Sequence, residues 1–115
     1  MWQALLDSYF VPDIWAEHQK ELMQIVDWTK QNGMPLIVIV WPTLDSIDLS
    51  AKQTALVEKL FRDNGATVVS ASDMFRNEPP SSLVINNIDA HPNADVNRRI
   101  AETLTPIIQA LPGQK

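Results

Sequence analysis

The chain has 115 residues, a hydrophobic fraction of 45% and a formal net charge of −5. That size fits one small domain, residues 1–115, and the apolar content supports a packed core rather than a disordered tail. The acidic balance argues against nucleic acid as a partner, because phosphate binding needs clustered Lys and Arg, and the absence of cysteine excludes disulfides, thiolate catalysis and cysteine-based zinc sites while leaving the compartment open.

The opening ten residues suit one or two turns of helix. With Met1 as a natural start there is no secretory signal, since Trp-Gln-Ala-Leu-Leu follows without a basic region or a long apolar run. Pro12-Asp13 then reads as a helix start, with Asp13 as the N-cap candidate. Ile14, Trp15, His18, Leu22, Ile25, Val26 and Thr29 share its apolar face. Asn32-Gly33 stops it. Leu36 to Trp41 is the clearest strand. Its β-branched run does not alternate, which is the signature of a parallel strand covered on both faces. The apolar run from Pro35 to Pro42 is too short to span a bilayer, so no membrane segment is expected. A polar loop with Asp45 and Asp48 leads to Ser50-Ala51-Lys52-Gln53, which has capping-box spacing. The helix beyond it presents Ala55, Leu56, Leu60 and Phe61 and ends at Asn64-Gly65. Thr67 to Ser70 is a second strand, and Asp73-Met74-Phe75 suits a helical turn. After the loop Glu78 to Ser82 and the short apolar segment Leu83-Val84-Ile85, Asn93 caps a final helix. Its buried stripe is Val96, Ile100, Ala101 and Leu104, its Arg98-Arg99 pair reads as a solvated face, and Pro106 should kink or restart it. Helix, strand, helix, strand, loop, helix implies right-handed crossovers and a parallel sheet.

The chemistry concentrates at Asp89-Ala90-His91-Pro92-Asn93, in the loop before the last helix. In an extended segment, residues i and i+2 point to the same side. Asp89 can then reach Nδ1 of His91 and leave Nε2 free as a base. The bland alternative is that Asp89 and Asn93 are turn and cap residues beside a surface histidine. His18, beside Glu17 and one turn from Glu21, is expected to be a half-buried structural histidine, because a metal site needs more converging ligands. Asp45, Asp48 and Asp73 suit loop and cap roles. Trp41, Pro42 and Leu44 suit core packing or an acyl pocket.

The block Asp89-Ala90-His91-Pro92-Asn93-Ala94, with Asn97, Arg98, Ile100-Ala101-Glu102 and Leu104 after it, resembles the last block of the SGNH (GDSL-type) hydrolases. Trp15 and its helix, Gly33-Met34-Pro35 and the strand ending Val40-Trp41-Pro42 resemble the segment of these enzymes that leads into their fourth strand. The resemblance implies a three-layer α/β/α sandwich with a parallel sheet, of which this chain supplies the C-terminal strands and helices. It implies a serine hydrolase acting on the ester bond of a small-molecule, carbohydrate or lipid substrate, with His91 as general base and Asp89 as its orienting acid. It implies no metal or cofactor. The chain departs from the family in lacking the Gly-Asp-Ser block and the Gly and Asn blocks of the oxyanion hole. Asp7-Ser8 differs from the first block in having Leu6 for its glycine and no strand before it. The chain alone is therefore expected to be inactive. The competing reading is a non-catalytic α/β interaction module or pseudo-enzyme. Under either, the uncovered edge of the Leu36–Trp41 strand is expected to recruit a second copy or an N-terminal half.

Overall fold

The computed structural model describes residues 2–113. Helix α1 (Trp2–Asp7) and a 3-10 turn (Ser8–Phe10) precede α2 (Pro12–Gln31), β1 (Ile37–Val40), α3 (Ile47–Asp63), β2 (Thr67–Ser70) and α4 (Ala71–Phe75). A second 3-10 turn (Pro80–Ser82) and α5 (Ala94–Gln109) complete the order. The chain is α/β, and its two strands pair in parallel from Ile37↔Thr67 to Val40↔Ser70. Parallel neighbours cannot be joined by a tight turn, and α3 makes the crossover. Gly33 and Gly65, at φ 62° and 85°, take the left-handed conformation that ends α2 and α3.

Side chains alternate across a strand, and the core divides accordingly. Val38 and Val68 pack with Val26, Leu60 and Phe61, while Ile39 and Val69 belong with Phe75, Leu83, Val96 and Ile100. Coverage is thinner than a continuous apolar run implies. Ile37, Val38 and Ile39 are half-buried, and of the strand only Val40 is buried.

Several local expectations are corrected. Asp13 is not the cap of α2. Val11 is, with no side-chain bond, and Pro12 fills the first helical position, where its missing N–H costs nothing. The apolar face of α2 is narrower than its periodicity suggested, because Ile14 and Ile25 are exposed. The Ser50–Gln53 capping box does not form, since α3 begins at Ile47 with Ser46 as its N-cap residue. Ser50 is instead buried and accepts a hydrogen bond from the Thr43 N–H at 3.0 Å, tying the exit of β1 to the first turn of α3. Ala55 and Ala101 are exposed. On α5 the buried line runs through Val96, Ile100 and Leu104 at a spacing of four, and Ala101 lies one step off it. Helix α5 passes through Pro106 without restarting. Arg98 is exposed as expected, but Arg99 is not solvated surface. Its guanidinium forks onto Glu78 with two bonds of 2.7 Å and lies 4.7 Å from the centre of the Phe75 ring.

A polar seam on α3, invisible to apolar patterning, buries Gln53, Thr54 and Glu58. Ser70, at the end of β2, is its hub. Its hydroxyl donates to Glu58 Oε1 at 2.6 Å and accepts from the Asp73 N–H at 3.1 Å, so one side chain satisfies a buried carboxylate and caps α4. Ser70→Ala removes both bonds and should lower stability by about 2 kcal/mol, read from the urea midpoint.

The Arg99 fork holds the Glu78 carboxyl below its ordinary value of 4.5. An acid depressed in the folded state contributes stability above its unfolded pKa and loses it as pH falls through the folded one. The Tm gap between wild type and Glu78→Gln should therefore be steady at neutral pH and close as the pH drops below 4.5.

Candidate active site

The candidate pair sits on a loop whose shape is set locally. Leu83 and Val84 are buried in the core and anchor its entry. Val84 and Pro92 form an isolated antiparallel bridge, with the Ile85 N–H on the His91 carbonyl at 3.1 Å and the Asn93 N–H on the Leu83 carbonyl at 2.9 Å. Asn86 closes the tip. Its Oδ1 accepts the N–H groups of Ile88 and Asp89, each at 2.8 Å. Sequence reasoning missed Asn86, although Asn86-Asn87 is the composition of a side-chain-stabilised turn. Asn93 caps α5 as expected, accepting the Val96 N–H at 3.0 Å, and its amide also donates to the Ser82 carbonyl at 2.8 Å. Both ends of the loop are thereby fixed to the core and to α5.

Within this frame Asp89 and His91 meet. Asp89 Oδ1 lies 2.5 Å from His91 Nδ1 and also accepts the His91 backbone N–H at 3.0 Å. The backbone bond, then the side-chain bond, hold the Asp89 carboxyl below its ordinary value of 3.8. An ionised carboxylate on Nδ1 selects the tautomer whose Nε2 is unprotonated. The imidazole is 84% exposed and its partner 42%. The ring is thus oriented by its partner rather than by burial.

The pair opens onto a cleft of about 1020 Å³ shared with the exit of β1, where Trp41, Asp45, Ser46 and Leu49 face Ile88 and His91. Open parallel sheets bind ligands at this end of their strands. Trp41 is partly exposed on the cleft, whereas Pro42 and Leu44 are buried and serve mainly as packing. Asp45 accepts from Ser46 Oγ at 3.3 Å, and Thr43 Oγ1 bonds the Ser46 carbonyl at 3.0 Å. Asp48 stands in the first turn of α3, and Asp73 pairs with Arg76 at 3.4 Å.

Ser8 is not brought to His91. It lines a separate depression of about 590 Å³ beside His18, and its hydroxyl donates to the Leu5 carbonyl at 2.6 Å. His18 is half-buried, edge-on to Tyr9 with ring centres 5.5 Å apart, and near Glu21 at 3.8 Å. Ser46 is the serine in the His91 cleft, but the hydrogen-bonding contacts of its hydroxyl are with Asp45 and Thr43. Among the described residues no three His, Asp or Glu side chains converge as metal ligands, and no helix is long and apolar enough to cross a membrane.

The geometry predicts a tautomer. With the ring neutral, nitrogen NMR shifts of His91 should place the proton on Nδ1 in the native chain. In Asp89→Asn that preference should be lost, because a neutral amide no longer demands a donor there.

Comparison with known proteins supplies no relative: no family model matches, and no curated protein or solved structure matches either.

Proposed function

We propose that Asp89 and His91 are the acid–base end of a serine-hydrolase triad of the SGNH type, acting on ester bonds. The observation that carries this reading is the 2.5 Å contact between Asp89 Oδ1 and His91 Nδ1 on a cleft at the C-terminal end of β1. A hydrolytic base needs a fixed tautomer, an accessible Nε2 and a neighbouring space for substrate, and this pair supports all three. In the reaction, His91 Nε2 takes the proton of a serine hydroxyl as it attacks the ester carbonyl. Asp89 stabilises the imidazolium that forms, and His91 returns the proton to the leaving alcohol. The nucleophile and the oxyanion donors come from a surface apposed to this cleft, since Ser8 lies elsewhere and Ser46 bonds its own loop. Trp41, Leu49 and Ile88 give the cleft an apolar wall suited to an acyl or alcohol group. The same reading sets the two strands in a three-layer α/β/α sandwich. Its support is the division of alternate strand residues between separate core clusters.

A second reading, a non-catalytic interaction module, draws on one observation: the only hydrogen bond of the His91 ring among the described residues is from Nδ1 to Asp89, and it meets no hydroxyl.

Activity separates the two. The chain alone should not turn over short acyl esters or react with a fluorophosphonate, and labelling at Ser8 would move the nucleophile into it. Where the pair meets its serine, His91→Ala should lower kcat by several orders of magnitude, and Asp89→Asn by about 10⁴, with unchanged melting. Near-normal turnover in His91→Ala would leave only the module.

A further inference from the structure

We propose that the exposed face of α2 is a self-association surface, on which a second copy of this chain lays the same helix antiparallel. The inference is independent of the Asp89–His91 reading, because no residue of α2 lines that cleft.

Helix α2 carries two apolar stripes. The inner one, with Trp15, Leu22 and Val26, packs in the cluster that holds Val38 and Val68. The outer one is uncovered: Val11, Ile14 and Ile25 are exposed, and Trp28 is 57% exposed. A helix that met only solvent on this side would carry polar residues there. The outer positions are Val11, Ile14, His18, Glu21, Ile25 and Trp28, at alternating intervals of three and four. That is the spacing of a seam between two helices.

The order of residues along the seam names the partner. It reads apolar, apolar, His, Glu, apolar, apolar, and reversing it exchanges only the imidazole and the carboxylate. An antiparallel copy therefore sets Val11 against Trp28, Ile14 against Ile25 and His18 against Glu21. All three pairs are centred at one level, between Gln19 and Lys20. Each contact then occurs twice, as a two-fold interface requires. A parallel copy would set Glu21 against Glu21, and like charges repel.

His18 and Glu21 are open to such a pairing. Within one chain His18 Nδ1 and Glu21 Oε2 stand 3.8 Å apart, beyond hydrogen-bond length, with side chains 36% and 67% exposed. Across the interface an imidazole N–H donates to the carboxylate of the second copy. Beside the seam, the same register brings Glu17 near Gln24 of the second copy rather than near another carboxylate. Two acidic chains can meet here without facing acid with acid.

The face also has relief. Leu5 and Tyr9 stand beside Ile14 and His18 around a depression of about 590 Å³. The antiparallel arrangement sends Ile25 and Trp28 of the second copy toward it. Buried tryptophans are frequent anchors of protein interfaces. Each chain thus supplies one knob and one hollow.

The test is sedimentation of the chain and its variants, with far-UV melting curves to show that each is folded. The native chain at roughly 100 μM should sediment as a dimer. Trp28→Ser, at an exposed position, should raise the dissociation constant at least about tenfold without lowering the melt. His18→Glu sets carboxylate against carboxylate at both crossings, and Glu21→Lys sets a cation against the imidazole, so each alone should associate about tenfold more weakly. Mixed together, the two should recover a dimer, because both crossings again pair a carboxylate with a donor. A monomeric native chain, a dimer that survives Trp28→Ser, or a mixture that stays monomeric would each overturn the proposal. Trp28→Ser decides it even where His18→Glu does not fold.

Discussion

The arrangement depends on four residue pairs: Ile37 to Val40 in parallel register with Thr67 to Ser70. Parallel pairing sends both strands out at the same end. The exit of β1 then becomes the Trp41–Ser50 segment, and the exit of β2 runs directly into α4. Everything chemically interesting gathers there because the ladder leaves no other choice. The Asp89–His91 loop reaches that end because Leu83, Val84, Val96 and Ile100 bury themselves in the cluster that holds Val69 and Phe75.

Around the ladder, polar groups fix what apolar packing leaves adjustable. Ser50 holds the β1 exit to α3, Ser70 joins β2, α3 and α4, and Arg99 fastens α5 over Phe75 onto Glu78. Hydrophobic burial is non-directional and would accept small slips between these elements. Hydrogen bonds with unique partners would not. The cleft inherits its shape from these tethers, since Thr43 and Ser46 belong to the same network as Ser50.

Much of this was readable in the residues. The second strand fell where β-branched character placed it, Thr67 to Ser70, and both helix stops at Asn-Gly took the glycine conformation expected. Asn93 capped α5, and Asp89 found His91 Nδ1. The misses share a cause. Ser50, Gln53, Thr54 and Glu58 are polar yet buried, and periodicity of apolar residues cannot see them. Asp13 lost the cap to Val11 because Pro12 is pre-set for the first helical position. Pro106 suits a kink or a restart, yet α5 does not restart there, and the exposed position lets water satisfy the carbonyl its ring frees. Asn86, which shapes the loop, carries no chemistry of its own and gave no functional signal.

The bonds that shape the Asp89–His91 pair join Val84 to Pro92, Ile85 to His91, Asn86 to Asp89 and Asp89 to His91. All lie within a stretch short enough to close in roughly 10–100 ns, whereas the β1–β2 ladder must bring Ile37 to Thr67 across a whole crossover. The two structures therefore belong to different moments of folding. A chain refolding from the denatured state can try out the turn before a sheet exists to support it. Holding the imidazole beside its carboxylate is then the later task, because Leu83 and Val84 are anchored only in the core that contains Val69.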